Sequence, residues 1–374
     1  MKLYKQSMYA VLMAACICSF AACDDDEKES DAAVEEAALM SVNQNFVETT
    51  VVPTYEGLVE ATGRLIGSIQ AGDYMAAAAD WKEARQYWEW SEAFLFGAAA
   101  GYGIDPHIDT WPFDAAAFNN YMSKFSPSTN PQDAANLLES IATGQGLTGF
   151  HAVEYILFRN GEVRTSISAD EAWFCQAAAE DLYLSACKLV MAWGGELSKE
   201  QQDLLEEAEF ECDQFGEEFV NAGQKGSRWN SVQGASIQII EGCQDIIDEV
   251  AHSKIGAPYT GDDTNYIESP HAYNSIQDFY DNIQSCRHAL YGLKPAVANN
   301  AAAPSAESLV AYGQKHHPAE TAAVQTALEA SLAAIDAMPK PFVLNYQDPK
   351  VGVAIKALEA LDSALDELKL KVNS

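Results

Sequence analysis

The segment Gly149-Phe150-His151-Ala152-Val153-Glu154-Tyr155 sets a histidine and a carboxylate three residues apart, just behind a glycine. On an α-helix that spacing puts imidazole and carboxylate on one face, where both can reach a single cation. A mixed nitrogen and oxygen donor set suits iron or zinc rather than calcium or magnesium, which prefer oxygen alone. The spacing recurs at His317-Pro318-Ala319-Glu320, but there a proline follows the histidine and no glycine precedes it. The first pair is therefore the stronger candidate. The plainer alternative is a structural cluster without metal, with His151 hydrogen-bonded to an acid beside it.

Three further segments carry side chains suited to more than packing. In Trp81 to Gly97, residues Arg85, Glu89 and Glu92 fall at i, i+4 and i+7, one charged stripe on a helix otherwise aromatic and apolar. Ile104 to Pro112 is a proline-bounded loop that brings Asp105, Asp109 and Trp111 together. From Glu268 to Asn282, residues Asn274, Asp278 and Asn282 repeat every four positions. The alternatives are a solvated face for the first and a capped, polar helix surface for the last.

Helices must position these groups. Apolar residues recur at spacings of three and four near 36–70, 75–98, 131–143, 146–159, 169–193, 198–222, 229–253, 271–291, 305–338 and 349–370, while strand alternation is absent over any useful length. Ser168 with Glu171 and Ser198 with Gln201 read as capping boxes. Loops are expected at Gly101-Tyr102-Gly103, Ser126-Pro127-Ser128, Asn160-Gly161 and from Ile255 to Pro270. The fold class is all-α and bundle-like.

The N-terminus belongs to targeting. Lys2 and Lys5 precede an apolar stretch from Met8 to Ala22, too short for a permanent span, which ends in Phe20-Ala21-Ala22-Cys23. This resembles a bacterial lipoprotein signal over 1–22, with Cys23 lipidated, and the acidic run over 23–35 reads as a flexible leader. Lipid at Cys23 anchors the chain without spanning the membrane. The acidic run also resembles the export tag of some surface lipoproteins, so the periplasmic face and the cell surface both stay open. The net charge of −33 excludes nucleic acid as a partner, because phosphate repulsion replaces counterion release. Cys175, Cys187, Cys212, Cys243 and Cys286 lie in apolar helical stretches without a CxxC, and read as small buried hydrophobes with at most one disulfide.

Together these segments resemble the imelysin family of bacterial envelope proteins. The resemblance rests on Gly149, His151 and Glu154, on Ala84-Arg85-x-x-Trp88-Glu89-x-Ser91-Glu92-Ala93-Phe94, on the loop Asp105 to Pro112, and on Asn274–Asp278–Asn282 with Tyr291-Gly292. It covers about two thirds of the chain in the expected order. The chain departs from the family pattern at Ala272, where a serine is expected. The resemblance implies two packed four-helix bundles, here 36–165 and 166–374, with the signature residues near their interface. A weak internal echo, in which Phe96-Gly97 and Tyr291-Gly292 both close a helix, points to a duplication.

The family implies two activities that compete. A metallopeptidase needs three ligands, an open position for water and a general base. This chain lacks His-Glu-x-x-His, so Glu92 or Glu154 would have to act as catalytic acid–base. Binding requires less: His151, Glu154 and Glu89 as ligands, with Arg85, Glu92, Asp109, Trp111, Asn274 and Asp278 lining the site or orienting its ligands. The expected cofactor is a metal ion, iron before zinc. The expected partners are that ion or an iron-containing ligand and envelope transport proteins, and the expected place is the outer membrane. A third class is a surface module that binds protein or glycan through Trp111 and Trp229.

Overall fold

A computed structural model describes residues 24–144, 146–297 and 302–373. The signal segment and Cys23 lie outside the described residues. In chain order the helices of the first half are α1 (Asp24–Asn45), α2 (Val52–Gln70), α3 (Tyr74–Glu89), α4 (Ala98–Gly101), α5 (Asp105–Ile108), α6 (Ala115–Met122), α7 (Pro131–Thr143), α8 (Gly149–Leu157) and α9 (Ala169–Trp193). Those of the second half are α10 (Lys199–Glu207), α11 (Phe215–Val220), α12 (Val232–Asp248), α13 (Gly256–Thr260), α14 (Ser275–Tyr291), α15 (Leu309–His316), α16 (Pro318–Asp336), α17 (Phe342–Asn345) and α18 (Pro349–Val372). The fold is all-α, as the periodicity predicts.

Two rings of four helices make up the core. In the first, α2 packs on α3 and α9, and α8 closes the ring against the same two. In the second, α12, α14, α16 and α18 each touch their two ring neighbours. The rings meet where α14 lies against α3 and where α12 receives a 3₁₀ turn at Glu92–Phe94. Helix α9 sits in the first ring, beyond the boundary at 165/166 read from the sequence. Helix α1 packs on α12, so the continuous rod from α1 through a π-helical turn at Phe46–Val51 into α2 crosses from one ring to the other.

Several local differences from the sequence reading have physical causes. Helix α1 covers Asp24–Asn45, so it includes part of the acidic stretch expected to be a leader, and the alanines and glutamates from Ala32 onward are good helix formers. The helix expected over 75–98 ends at Glu89, where the chain tightens into the 3₁₀ turn and Ser91 Oγ donates to the Trp88 carbonyl at 2.7 Å. The segment 198–222 breaks between α10 and α11, with Glu209 at φ 51°. Asn160-Gly161 is a tight turn between two-residue antiparallel strands, β1 (Phe158–Arg159) and β2 (Glu162–Val163). Both expected capping boxes form, and all five cysteines are free thiols. Trp229 packs edge-on against Phe219, with centroids 4.8 Å apart.

Candidate metal centre

Arg85 organises the interface between the rings. It sits on the last turns of α3, fully buried, and its guanidinium faces carboxylates from four separate elements. One terminal nitrogen donates to Asp109. The other meets Glu89, one turn along α3, and donates to Glu268 Oε1 at 2.6 Å. The Nε lies 3.9 Å from Asp278 Oδ2, and Phe150 covers the guanidinium plane at 5.3 Å. Trp88 Nε1 holds the second Asp109 oxygen at 2.7 Å. Asn282 donates to Glu89, and Asn274 Nδ2 donates to Asp278 Oδ1 at 2.6 Å.

His151 approaches this cluster from α8. Its Nε2 is 3.2 Å from Asp109 Oδ1 without hydrogen-bond alignment, and its Nδ1 is 3.4 Å from Glu154 Oε2. Gly149 makes that approach feasible. It has φ 71°, and a Cβ there would stand 2.0 Å from the Ile108 carbonyl oxygen. Only a bare backbone lets the loop after α5 press on the start of α8, and that contact carries Asp109 to the imidazole. The glycine of the signature therefore serves backbone approach, and the histidine beside it serves the site.

The ligand atoms of Asp109, His151 and Glu268 lie within 4.8 Å of one another, as do those of Glu89, Glu268 and Asp278 and those of Glu89, Glu92 and Asp109. Glu154, expected to ligate beside His151, stands outside these groupings: its Oε1 accepts the backbone N–H groups of His271 and Ala272 at 2.7 and 2.8 Å. It thereby ties α8 to the loop before α14 and orients the imidazole. Glu92 and Trp111 border a cavity of about 210 Å³ that runs outward past Asp105 and Glu249. The second His-x-x-Glu forms no such site, since His317 is the N-cap of α16 and Glu320 lies 3.9 Å from Lys371.

Two central residues carried no assigned role from the sequence. Glu268 sits in the loop before α14, and only its neighbour Pro270 marks it as part of a fixed turn. Lys254 ends a π-helical turn at Glu249–Lys254, and it is 1% exposed with Nζ 3.1 Å from Glu268 Oε1. A rare cation in so acidic a chain was the available signal.

Six buried carboxyl groups (Glu89, Glu92, Asp109, Glu154, Glu268, Asp278) face three buried bases (Arg85, Lys254, His151). Burial pushes Glu89 and Glu92 well above the usual carboxylate range, against the pull of Arg85 and Lys254, and lifts Asp278 to about 7. Burial also raises Asp109, but Arg85 and His151 overcome it and hold that carboxyl well below its ordinary value. Burial would lower His151, yet Asp109 and Glu154 lift it to about 9. Acids outnumber bases in this buried cluster, an imbalance that a bound cation would offset.

A family model described as Imelysin matches residues 49–369. The chain belongs to the imelysin family. The resemblance read from Gly149, His151 and Glu154 and from the run Ala84 to Phe94 is borne out. A relative, iron-regulated protein A of Synechococcus elongatus, is 26% identical over 339 residues, covering 88% of this chain and 84% of that protein. A solved structure described as an iron-regulated protein A precursor from Parabacteroides distasonis shares the fold at TM-score 0.76 and 23% identity, over 90% of this chain and 95% of its own. An imelysin-like protein from Psychrobacter arcticum shares it at TM-score 0.57 and 13% identity, over 92% and 94%.

Proposed function

We propose that this imelysin-family protein is a lipid-anchored cell-envelope protein that binds a metal cation, iron foremost, and serves iron acquisition. The observation that carries this reading is the convergence of Asp109, His151 and Glu268, with buried His151 Nε2 and Glu268 Oε2 left without hydrogen-bond partners among the described residues. Unpaired polar atoms in a buried site are costly, and a cation would satisfy both. One imidazole with carboxylates fits a first-row transition metal. Glu89 and Asp278 would complete the oxygen donors, and Glu154 would fix the imidazole. The relative's name as an iron-regulated protein supports iron over zinc. The Cys23 lipobox supports an envelope location, and no described helix is long and apolar enough to cross a membrane.

The same geometry favours binding over peptide cleavage. Arg85 and Lys254 engage the acids that a water-activating centre would need free, and Glu154 Oε1 is occupied by two backbone amides. Protein purified without chelator is expected to contain stoichiometric transition metal by elemental analysis, and His151→Ala to lose it. Anaerobic Fe²⁺ at a hundred times its Kd should stabilise the parent by about 2.7 kcal/mol and leave His151→Ala unmoved. Equal metal content in the two proteins would end the reading.

A further inference from the structure

Lys254 differs from Arg85 in how it is held. Arg85 makes directed bonds to named oxygens, whereas the Lys254 ammonium sits among acids from four elements: 3.1 Å from Glu268, 3.7 Å from Glu249, 3.8 Å from Glu89 and 4.0 Å from Glu92. A long hydrogen bond, 3.4 Å, runs from it to Asn282 Oδ1. The field of the carboxylates holds it, and an ammonium held this way is a point charge that another point charge can replace. Three of its neighbours, Glu89, Glu92 and Glu268, also belong to the metal groupings, so lysine and cation compete for the same oxygens.

The surroundings give the displaced side chain somewhere to go. Lys254 lines the cavity of about 210 Å³, several times the roughly 30 Å³ that a water occupies in the liquid. Asp105 and Glu249 stand on the cavity wall, and the Trp111 ring lies 5.4 Å from the ammonium. The backbone that sets it there is a π-helical turn, a register often found at functional positions.

We propose that Lys254 is the resident cation of this site, a tethered ammonium that neutralises Glu89, Glu92 and Glu268 until a divalent ion displaces it into the cavity beside Trp111. This rests on the cation-binding reading above. It makes Lys254 the residue that sets affinity and selects divalent over monovalent cations, since a second unit of charge is needed to outcompete it.

The test is Mn²⁺ titration by calorimetry and electron paramagnetic resonance on the parent and on Lys254→Met. The variant is expected to bind Mn²⁺ at least about tenfold more tightly, and binding by the variant alone would equally support the proposal. Equal or weaker binding by a folded Lys254→Met, with the parent binding, overturns the role of Lys254 and leaves the cation site standing. Failure of both proteins to bind overturns the site and this inference together. A second measurement does not depend on the variant folding: amine-reactive labelling of the parent, read by peptide mass spectrometry. Lys254 is expected to be protected in metal-free protein and labelled at saturating Mn²⁺. Protection unchanged at saturation overturns the displacement.

Discussion

His288 is fully buried on α14, with neither ring nitrogen hydrogen-bonded among the described residues, and its ring meets that of Trp90 edge to face with centroids 5.3 Å apart. Burial, with the Arg287 charge beside it, lowers its pKa to about 3 from the ordinary 6.5. The unfolded chain therefore binds a proton that the folded chain refuses. The stability His288 allows is complete above pH 6.5 and is lost as the pH falls from there toward 3. Asp281 acts with the opposite sign. Burial raises it to about 6 from 3.8, so its contribution is complete below pH 3.8 and fades as the pH rises through 6. A His288→Leu variant should isolate the histidine, with its melting temperature falling less steeply than the parent's between pH 6.5 and 4. Parallel curves for the two proteins would show that His288 does not contribute to acid sensitivity.

At the scale of elements, the interface between rings is set by backbone contact. A Cβ on Gly242 of α12 would meet the Ala93 carbonyl oxygen at 2.1 Å and the Phe96 ring at 2.8 Å. Alanine would favour the helix by about 1 kcal/mol, but overpacking against a backbone atom costs about 1–3 kcal/mol. The clash outweighs the propensity because the 3₁₀ turn cannot yield without moving Glu92. Gly242→Ala is expected to lower unfolding free energy in urea by about 1 kcal/mol or more and to weaken cation binding as well. A more stable variant would contradict the close packing of α12 on that turn. Elements also mark the limit of sequence reading. Helices over 131–143 and 169–193 match the periodicity, because their apolar faces are long and their caps are local. The short helices α5 and α6 and the two-residue strands give no periodic signal to read.

Across the whole molecule, 55 acids face 22 lysines and arginines. Self-repulsion among the exposed acids opposes folding and is screened by salt, while the buried centre is shielded from it. Raising NaCl from 10 to 150 mM shortens the Debye length from about 30 to about 8 Å and should raise the melting temperature by about 3 °C or more. A melting temperature that stays flat or drops over this range, followed by circular dichroism, would show that the surface charge is already locally balanced. Charge also explains why the acid cluster was only partly legible. With so many carboxylates in the chain, type and number cannot say which six meet in the buried cluster.

The sequence by itself determined the helices, both capping boxes and the shared face of His151 and Glu154, since each depends on residues within a turn or two. It also carried the family, because the spaced signatures lie in order along the chain. Only the tertiary structure decided what meets in the cluster around Arg85. Asp109 arrives on a loop pressed onto Gly149, Glu268 arrives from the turn before α14, and Lys254 arrives from a π-helical turn, while Glu154 turns to backbone amides. Loop carboxylates follow no period, and their meeting depends on packing between segments more than a hundred residues apart, which local pattern does not encode.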